Sequence, residues 1–427
     1  MIGLIMFAVA LLMLLYGFPV AFTFGGIALI FGLIADPEMF AFMPYRIMNI
    51  MENSTLMAVP LFIFMGIMLQ KTKLAEQLLE SMGQLFGKVA GGVAISTIIV
   101  GTLLAASTGV VGASVVAMGV ISLPVMLKYK YNKSLSCGVI CASGTLGQII
   151  PPSIILIILG DVLGIPVGDL FKAAVIPGLI LVGAYISYVL IYSYFNKDSA
   201  PPIPLDDNDQ SRKQYLTALK NILPPLLLII VVLGSIFKGV ATPTESSALG
   251  CVGAIFLALV YGKFSFKSLF ASAQETVKIT SMVFAILLGA TAFSMAFVYT
   301  GGDAIVEQYL LQLPGEKWGF LIFSMLFILV LGFFIDFVEI AFIVVPILLP
   351  IAEALGIPLL WFAILIAMNL QTSFLTPPFG FSLFYLKGVA PPEIKTTDIY
   401  KGVMPFIAIQ VAVLASILIF PAFYGLT

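Results

Sequence analysis

The sequence predicts an all-α, polytopic membrane protein made of two inverted repeats, each with a re-entrant helical hairpin and a broken transmembrane helix. Three observations carry this reading. Hydrophobic residues fill 61% of the 427 positions and charged residues only 10%, where soluble domains carry about 25% charged residues. Two apolar spans are interrupted by stretches of one kind, CASGTLGQIIPPS at 141–153 and NLQTSFLTPPFG at 369–380. Finally, the two halves place similar segments in the same order, with prolines in one ungapped register.

Taken in order, residues 1–34 are apolar but interrupted by Gly17, Pro19 and Gly25-Gly26, which favours two helices meeting near residues 17–19. The segment lacks the basic start of a cleaved leader and is expected to stay in the membrane. Residues 36–54 are polar, and a helix is expected over 57–70. From 71 to 88, charged positions alternate with Leu74, Leu78, Leu79, Met82 and Leu85, the pattern of a helix lying in the interface. Residues 91–127 are apolar around a small polar cluster, Ser107, Thr108, Gly109, Gly112 and Ser114. They form either one kinked span or a re-entrant hairpin with that cluster at its tip. A broken helix over 134–163 and a final span over 169–196 complete the first repeat.

A charged linker, 197–219, leads to the second repeat, 220–427. Its scaffold helices are expected at 223–237, 246–261 and 277–299, with a short amphipathic helix at 301–316, matching scaffold helices within 1–90 of the first repeat. The second hairpin covers 317–350, the second broken helix 357–388, and the final span 400–425. A shift of 226 residues lays Pro124 on Pro350, Pro151 on Pro377, Pro152 on Pro378 and Pro166 on Pro392. With the linker in the cytoplasm and both hairpins re-entrant, 16 of the 20 Lys and Arg fall inside; Arg46, Lys172, Lys238 and Lys317 fall outside. Cytoplasmic loops carry such an excess, so the charge pattern selects the hairpins and inverts the second repeat relative to the first.

Adjacent prolines delete two amide donors and disfavour α geometry just before them. In lipid, the carbonyls so released need partners within the protein or in a lined cavity, and a pair of interrupted membrane helices marks a transport site. Hydroxyls, freed carbonyls and half-helix ends suit a hard monovalent cation, while half-helix N-termini face an anionic group. The second cluster holds Gly332 with Asp336 and Glu339, facing Asn369, Gln371, Thr372, Ser373 and Thr376. Acids at membrane depth are functional candidates by default, whereas small hydroxylic residues also serve plain helix packing. The absence of His removes imidazole relays and His-ligated metals. Cys137, Cys141 and Cys251 lie in apolar runs and read as small packing residues. No nucleotide-binding loop or nucleophile-base pair is visible, nothing invites nucleic acid, and lipid is the expected surroundings.

The runs ASGTLGQIIPPS (142–153), STLMAVPLFIFMG (54–66) and GFPVAF (17–22) resemble the large membrane subunit of TRAP transporters, the tripartite ATP-independent periplasmic family. The likeness covers essentially the whole chain. It implies a non-enzymatic secondary transporter of the bacterial inner membrane, with a periplasmic protein delivering an organic anion and a smaller membrane subunit in support. It also implies an elevator mechanism with Na⁺ held between each hairpin tip and its broken helix. On that basis Ser107, Thr108, Gly109, Gly112, Ser143, Gly144 and Gly147 are expected at one ion site. Gly332, Asp336, Asn369, Thr372, Ser373 and Thr376 are expected at the other, with Ser107, Thr145, Gln148, Gln371 and Ser373 at the substrate between the tips. The first tip departs from the Ser-Gly-Ser-Ser-like pattern of many members, so sialic acid is not the expected substrate. No small subunit is fused within the chain, so a separate polypeptide is expected.

Overall fold

The computed structural model of the protein describes residues 1–71, 79, 81–83, 85–87, 89–202 and 211–427, and every regular element among them is helical. The first apolar segment resolves into α1 (Ile2–Leu15) and α2 (Val20–Ala35). Gly17 turns the chain between them at φ +84°, where a Cβ would be strained. The stretch 36–54 reads as merely polar, yet it contains α3 (Met43–Met51), a short helix with no buried residue and Pro44 in its first turn. Proline there gives up only an amide that the helix leaves unpaired anyway. The next helix, α4 (Ala58–Lys71), lies within a residue of its expected limits. The interfacial helix expected at 71–88 falls largely outside the described residues.

Residues 91–127 form two helices, α5 (Gly92–Thr108) and α6 (Val111–Lys128), packed side by side and joined at Gly109 with φ +61°. This is the hairpin alternative, not one kinked span. The broken helix follows as α7 (Lys133–Thr145), a 3₁₀ turn at Leu146–Gln148, and α8 (Ile154–Leu163), before the long α9 (Val167–Phe195). Part of the expected linker lies outside the described residues. Its end is already helical, because α10 (Ser211–Phe237) starts at Ser211; the run SRKQYLTALK has no Gly or Pro and continues straight into apolar helix.

In the second half, α11 (Pro243–Val260) begins at a capping box between Thr242 and Glu245. α12 (Phe266–Tyr299) starts well before the expected residue 277 because Ser265 caps it, its hydroxyl accepting from the Ser268 amide at 3.0 Å. α13 (Gly302–Leu311) and α14 (Lys317–Leu331) follow. A turn leads into α15 (Phe337–Glu339), which runs through a π-helical segment (Ile340–Val344) into α16 (Val345–Ala354). The second broken helix is α17 (Leu359–Leu375) and α18 (Phe381–Val389), and α19 (Thr396–Ile419) ends the bundle. Among the described residues, six helices are long and apolar enough to cross a membrane.

At the second hairpin arm the register of 226 holds to the residue. The second hairpin arm runs Val111–Lys128 in one half and Phe337–Ala354 in the other, and the Pro151-Pro152 and Pro377-Pro378 bonds are both cis. Packing repeats the correspondence with partners exchanged. α7 packs on α19 and α17 on α9, while α6 meets α18 and the α15–α16 arm meets α8. At the α7–α19 crossing the two backbones touch, since a Cβ at Gly138 would strike the Gly402 carbonyl and one at Gly402 would strike that of Ser134. Trp361 Nε1 donates to the Ile417 carbonyl at 3.0 Å and ties α17 to α19. Outside this unit, α2 lies along α12 and α4 along α11 and α12. Small residues permit such close helix approach in lipid; a Cβ at Gly289 would stand 2.5 Å from the Ala21 carbonyl oxygen.

Candidate functional site

Each break can be followed carbonyl by carbonyl. Pro152 and Pro378 cannot donate to residues four earlier, so the carbonyls of Gln148 and Phe374 lose their helical partner. Both recover a serine hydroxyl: Ser153 Oγ donates to Gln148 O and Ser382 Oγ to Phe374 O, each at 2.7 Å. The same orphan is satisfied in both repeats, but by serines at non-equivalent positions. Pro151 and Pro377 release the carbonyls of Gly147 and Ser373. The latter accepts from the Thr376 amide at 3.2 Å.

At the first tip, Ser107 and Thr108 are the last residues of α5, and Gly109 abuts Ile154 at the start of α8, where an added Cβ would lie 2.8 Å from the Ile154 side chain. Thr108 Oγ1 donates to Leu104 O at 3.0 Å and lies 2.8 Å from Ser114 Oγ. Ser114, one helical turn into α6, thus pairs its hydroxyl with that of Thr108 at the tip. The broken helix lies against both arms. Gly147 meets the Ala105 carbonyl, Gly144 meets Val115, and Ser143 meets Gly101. Ser143 and Thr145 both bond back into α7, to the Ile140 and Ala142 carbonyls. Gln148 is buried with both amide atoms unpartnered.

The second tip spans Gly332 to Asp336. Asp336 Oδ1 accepts from the Phe337 amide at 2.7 Å and so starts α15. Gly332 lies directly against Ser373, since a Cβ there would collide with the Ser373 hydroxyl. Thr372, Ser373 and Thr376 each donate back along α17, to Met368, Leu370 and Thr372. Asn369 bonds instead to the Met325 carbonyl at 2.6 Å, tying α17 to the body of α14 rather than to the tip. Gln371 points away altogether: Tyr185 of α9 approaches Gln371 and Gln410 on its hydroxyl side, and none of the three side chains completes a hydrogen bond. Two residues along a helix turn the side chain by roughly 200°, which is why Gln371 and Ser373 serve different neighbours.

One residue that the sequence reading passed over stands between the tips. Tyr385, on α18, lies against Gly112 of the first tip, where an added Cβ would come within 3.0 Å of its ring, and within electrostatic reach of Asp336 and Glu339 at the second. Gly112 therefore faces the other repeat, not its own broken helix. Glu339 is 3% exposed and has one carboxylate oxygen unpartnered. Among the described residues no three His, Cys, Asp or Glu side chains cluster. The first tip presents carbonyls and hydroxyls, and the second adds the carboxylates of Asp336 and Glu339.

Comparison with known proteins agrees with this architecture. The chain is 29% identical over 414 residues to the sialic acid TRAP transporter large permease protein SiaM of Vibrio cholerae, covering 96% of this chain and 95% of that one. It is 29% identical over 411 residues to the isethionate TRAP transporter permease protein DctMQ of Oleidesulfovibrio alaskensis, covering 96% of this chain and 64% of the relative. The crystal structure of the YdaH transporter of Alcanivorax borkumensis, whose topology is described as unusual, superposes with a TM-score of 0.66 at 11% identity over 97% of this chain and 98% of that one. It shares the fold. The family model for the tripartite ATP-independent periplasmic transporter DctM component matches residues 7–423, and the chain belongs to that family, as a multi-pass protein of the inner membrane.

Proposed function

We propose that the chain carries out sodium-coupled uptake of a small organic acid anion, a carboxylate or sulfonate, by an elevator movement of the two hairpins and two broken helices against α1–α4 and α10–α13. The inverted arrangement of the repeats, 1–196 and 220–427, belongs to this reading, as does substrate handover by a periplasmic binding protein. A small membrane subunit is taken to be a separate polypeptide; the chain spans only 64% of the isethionate permease, itself named DctMQ. The observation that carries the reading is the pair of hairpin tips, each set beside a helix break, with Tyr385 between them. Na⁺ is assigned to the two breaks, where hydroxyls and released carbonyls gather, and the substrate to the space between the tips. Gln148 supports this, because a buried amide with no partner is costly unless a ligand engages it. The membrane potential adds about 2.3 kcal/mol per charge per 100 mV, so co-entering cations drive an anion inward without ATP.

The test is reconstitution of the chain with its small subunit and binding protein. Uptake is expected to rise with external Na⁺ and to fall when K⁺ replaces it; accumulation indifferent to external Na⁺ removes the sodium assignment. Thr372→Ala is expected to raise the Na⁺ concentration needed for half-maximal uptake more than Thr102→Ala. Thr102 also bonds back along its helix, to Ile98, but it is not among the residues assigned to either break, so equal effects count against the assigned site.

A further inference from the structure

Away from the tips, a cavity of about 370 Å³ opens between α3, α8, α12 and the arm of the second hairpin, with Arg46, Asn49, Asp161 and Ser294 among its polar lining and Phe342 and Pro346 on the hairpin side. Its size lies within the ~300–1,000 Å³ of small-molecule sites. Arg46 is exposed and has no ion-pair partner among the described residues. Asp161, half-buried on the facing wall, accepts from Asn53 Nδ2 through one carboxylate oxygen, Oδ1. Asn53 is itself held in place, since its Oδ1 accepts from the Thr55 and Leu56 amides. The Asn53 amide thus fixes Asp161 through Oδ1 and leaves Oδ2 without a hydrogen-bond partner among the described residues.

The cavity presents a guanidinium on one wall and a carboxylate on the other. A guanidinium recognises a carboxylate through two parallel N–H donors. An ionised carboxylate accepts only, so it repels a plain acid and rewards an O–H or N–H carried beside the acid group. Asp161 lies seven residues along α8 from the break, or about 10 Å at 1.5 Å per residue. The cavity is therefore distinct from the space between the tips. It is bounded by the scaffold on one side and the hairpin unit on the other, so any relative movement of the two remodels it.

We propose that this cavity is an outer capture site for organic acids that carry a hydroxyl or ammonium group near the carboxylate, with Arg46 holding the acid group and Asp161 selecting the donor. The proposal rests on the uptake reading for the ligand's class and for the side on which the cavity opens. An acid released by the binding protein loads here before passing to the tips, and an acid lacking the donor is disfavoured at this step.

The test reads occupancy, not uptake. The purified full chain in lipid nanodiscs receives Asn49→Cys as a reporter; Cys137, Cys141 and Cys251 are buried and stay unlabelled by a bulky charged maleimide. Labelling rates are measured with propionate, lactate, alanine, succinate, malate or glucuronate at constant ionic strength. Lactate, alanine and malate are expected to slow labelling at concentrations at least tenfold below those of propionate and succinate. Arg46→Gln is expected to abolish protection by every acid, with partial recovery in Arg46→Lys. Asp161→Asn should bring propionate level with lactate. The proposal is overturned if no acid in the panel protects, if matched acids with and without the donor protect equally, or if Arg46→Gln protects like its parent. None of these results bears on Na⁺-driven uptake, so failure of the capture site and failure of the uptake reading are distinguishable.

Discussion

Gly147→Ala is the sharpest probe of how the first break is seated. The new Cβ would stand 2.5 Å from the Ala105 carbonyl oxygen and 2.8 Å from its carbon, where ordinary contact begins at 3.4 Å. The obstacle is backbone on both sides, so no rotamer relieves it, and the tip of α5 must move off the break by about 0.9 Å. Overpacking of this kind costs ~1–3 kcal/mol. If a cation draws its ligands from that junction, the same strain appears as a coupling free energy, equivalent to roughly 5–150-fold weaker binding. The assay is the apparent melting temperature of the purified protein against Na⁺, with K⁺ replacing it at constant ionic strength. A ligand that binds only the folded state stabilises it by about 2.7 kcal/mol at a hundred times its dissociation constant. The half-maximal Na⁺ concentration should rise at least fivefold in Gly147→Ala. The control is Gly183→Ala on α9, where nothing lies within 4 Å of the added Cβ; it should titrate like the parent and gain up to ~1 kcal/mol in helix propensity. A Gly147→Ala protein that titrates like its parent, or a Gly183→Ala protein equally impaired, refutes the reasoning.

Other substitutions separate structural from functional roles. Asp336→Asn preserves an acceptor for the Phe337 amide, whereas Asp336→Ala removes it and loses about 1 kcal/mol. Uptake is expected to fall at least tenfold in both variants while only the alanine variant melts earlier; loss of uptake confined to alanine would reduce Asp336 to a helix cap. Trp361→Phe removes the hydrogen bond to the Ile417 carbonyl between α17 and α19 and should lower the melting temperature by the equivalent of ~1–3 kcal/mol. Its Na⁺ midpoint should stay unchanged, and a shift there would mean that the α17–α19 contact sets the ion site.

Much of the fold was legible because its causes are local. Hydrophobic runs define the spans, and paired prolines break a helix wherever they fall, since the missing amides are missing in any environment. The 226-residue register follows from those prolines and predicts helix limits that agree at both ends of the second hairpin arm. α3 escaped because a short helix with no buried face leaves no long apolar run, and the early starts of α10 and α12 escaped because their first turns are polar. The site was legible only in part. That Gly332 and Ser373 touch, or Gly147 and Ala105, is consistent with pairing each hairpin to its own break.

The sequence by itself determined where the chain crosses, turns and breaks, because proline chemistry, glycine freedom and apolar length act within a few residues of their position. Only the tertiary structure decided which faces the breaks present. It turned Gln371 towards Tyr185 and Gln410, pointed Asn369 at Met325, and set Tyr385 between Gly112 and the acids of the second tip. Those contacts join residues from tens to hundreds of positions apart, some within one repeat and some across both, and no local pattern encodes them. The backbones of α7 and α19 meet at Gly138 and Gly402, and that close approach too exists only in the folded chain.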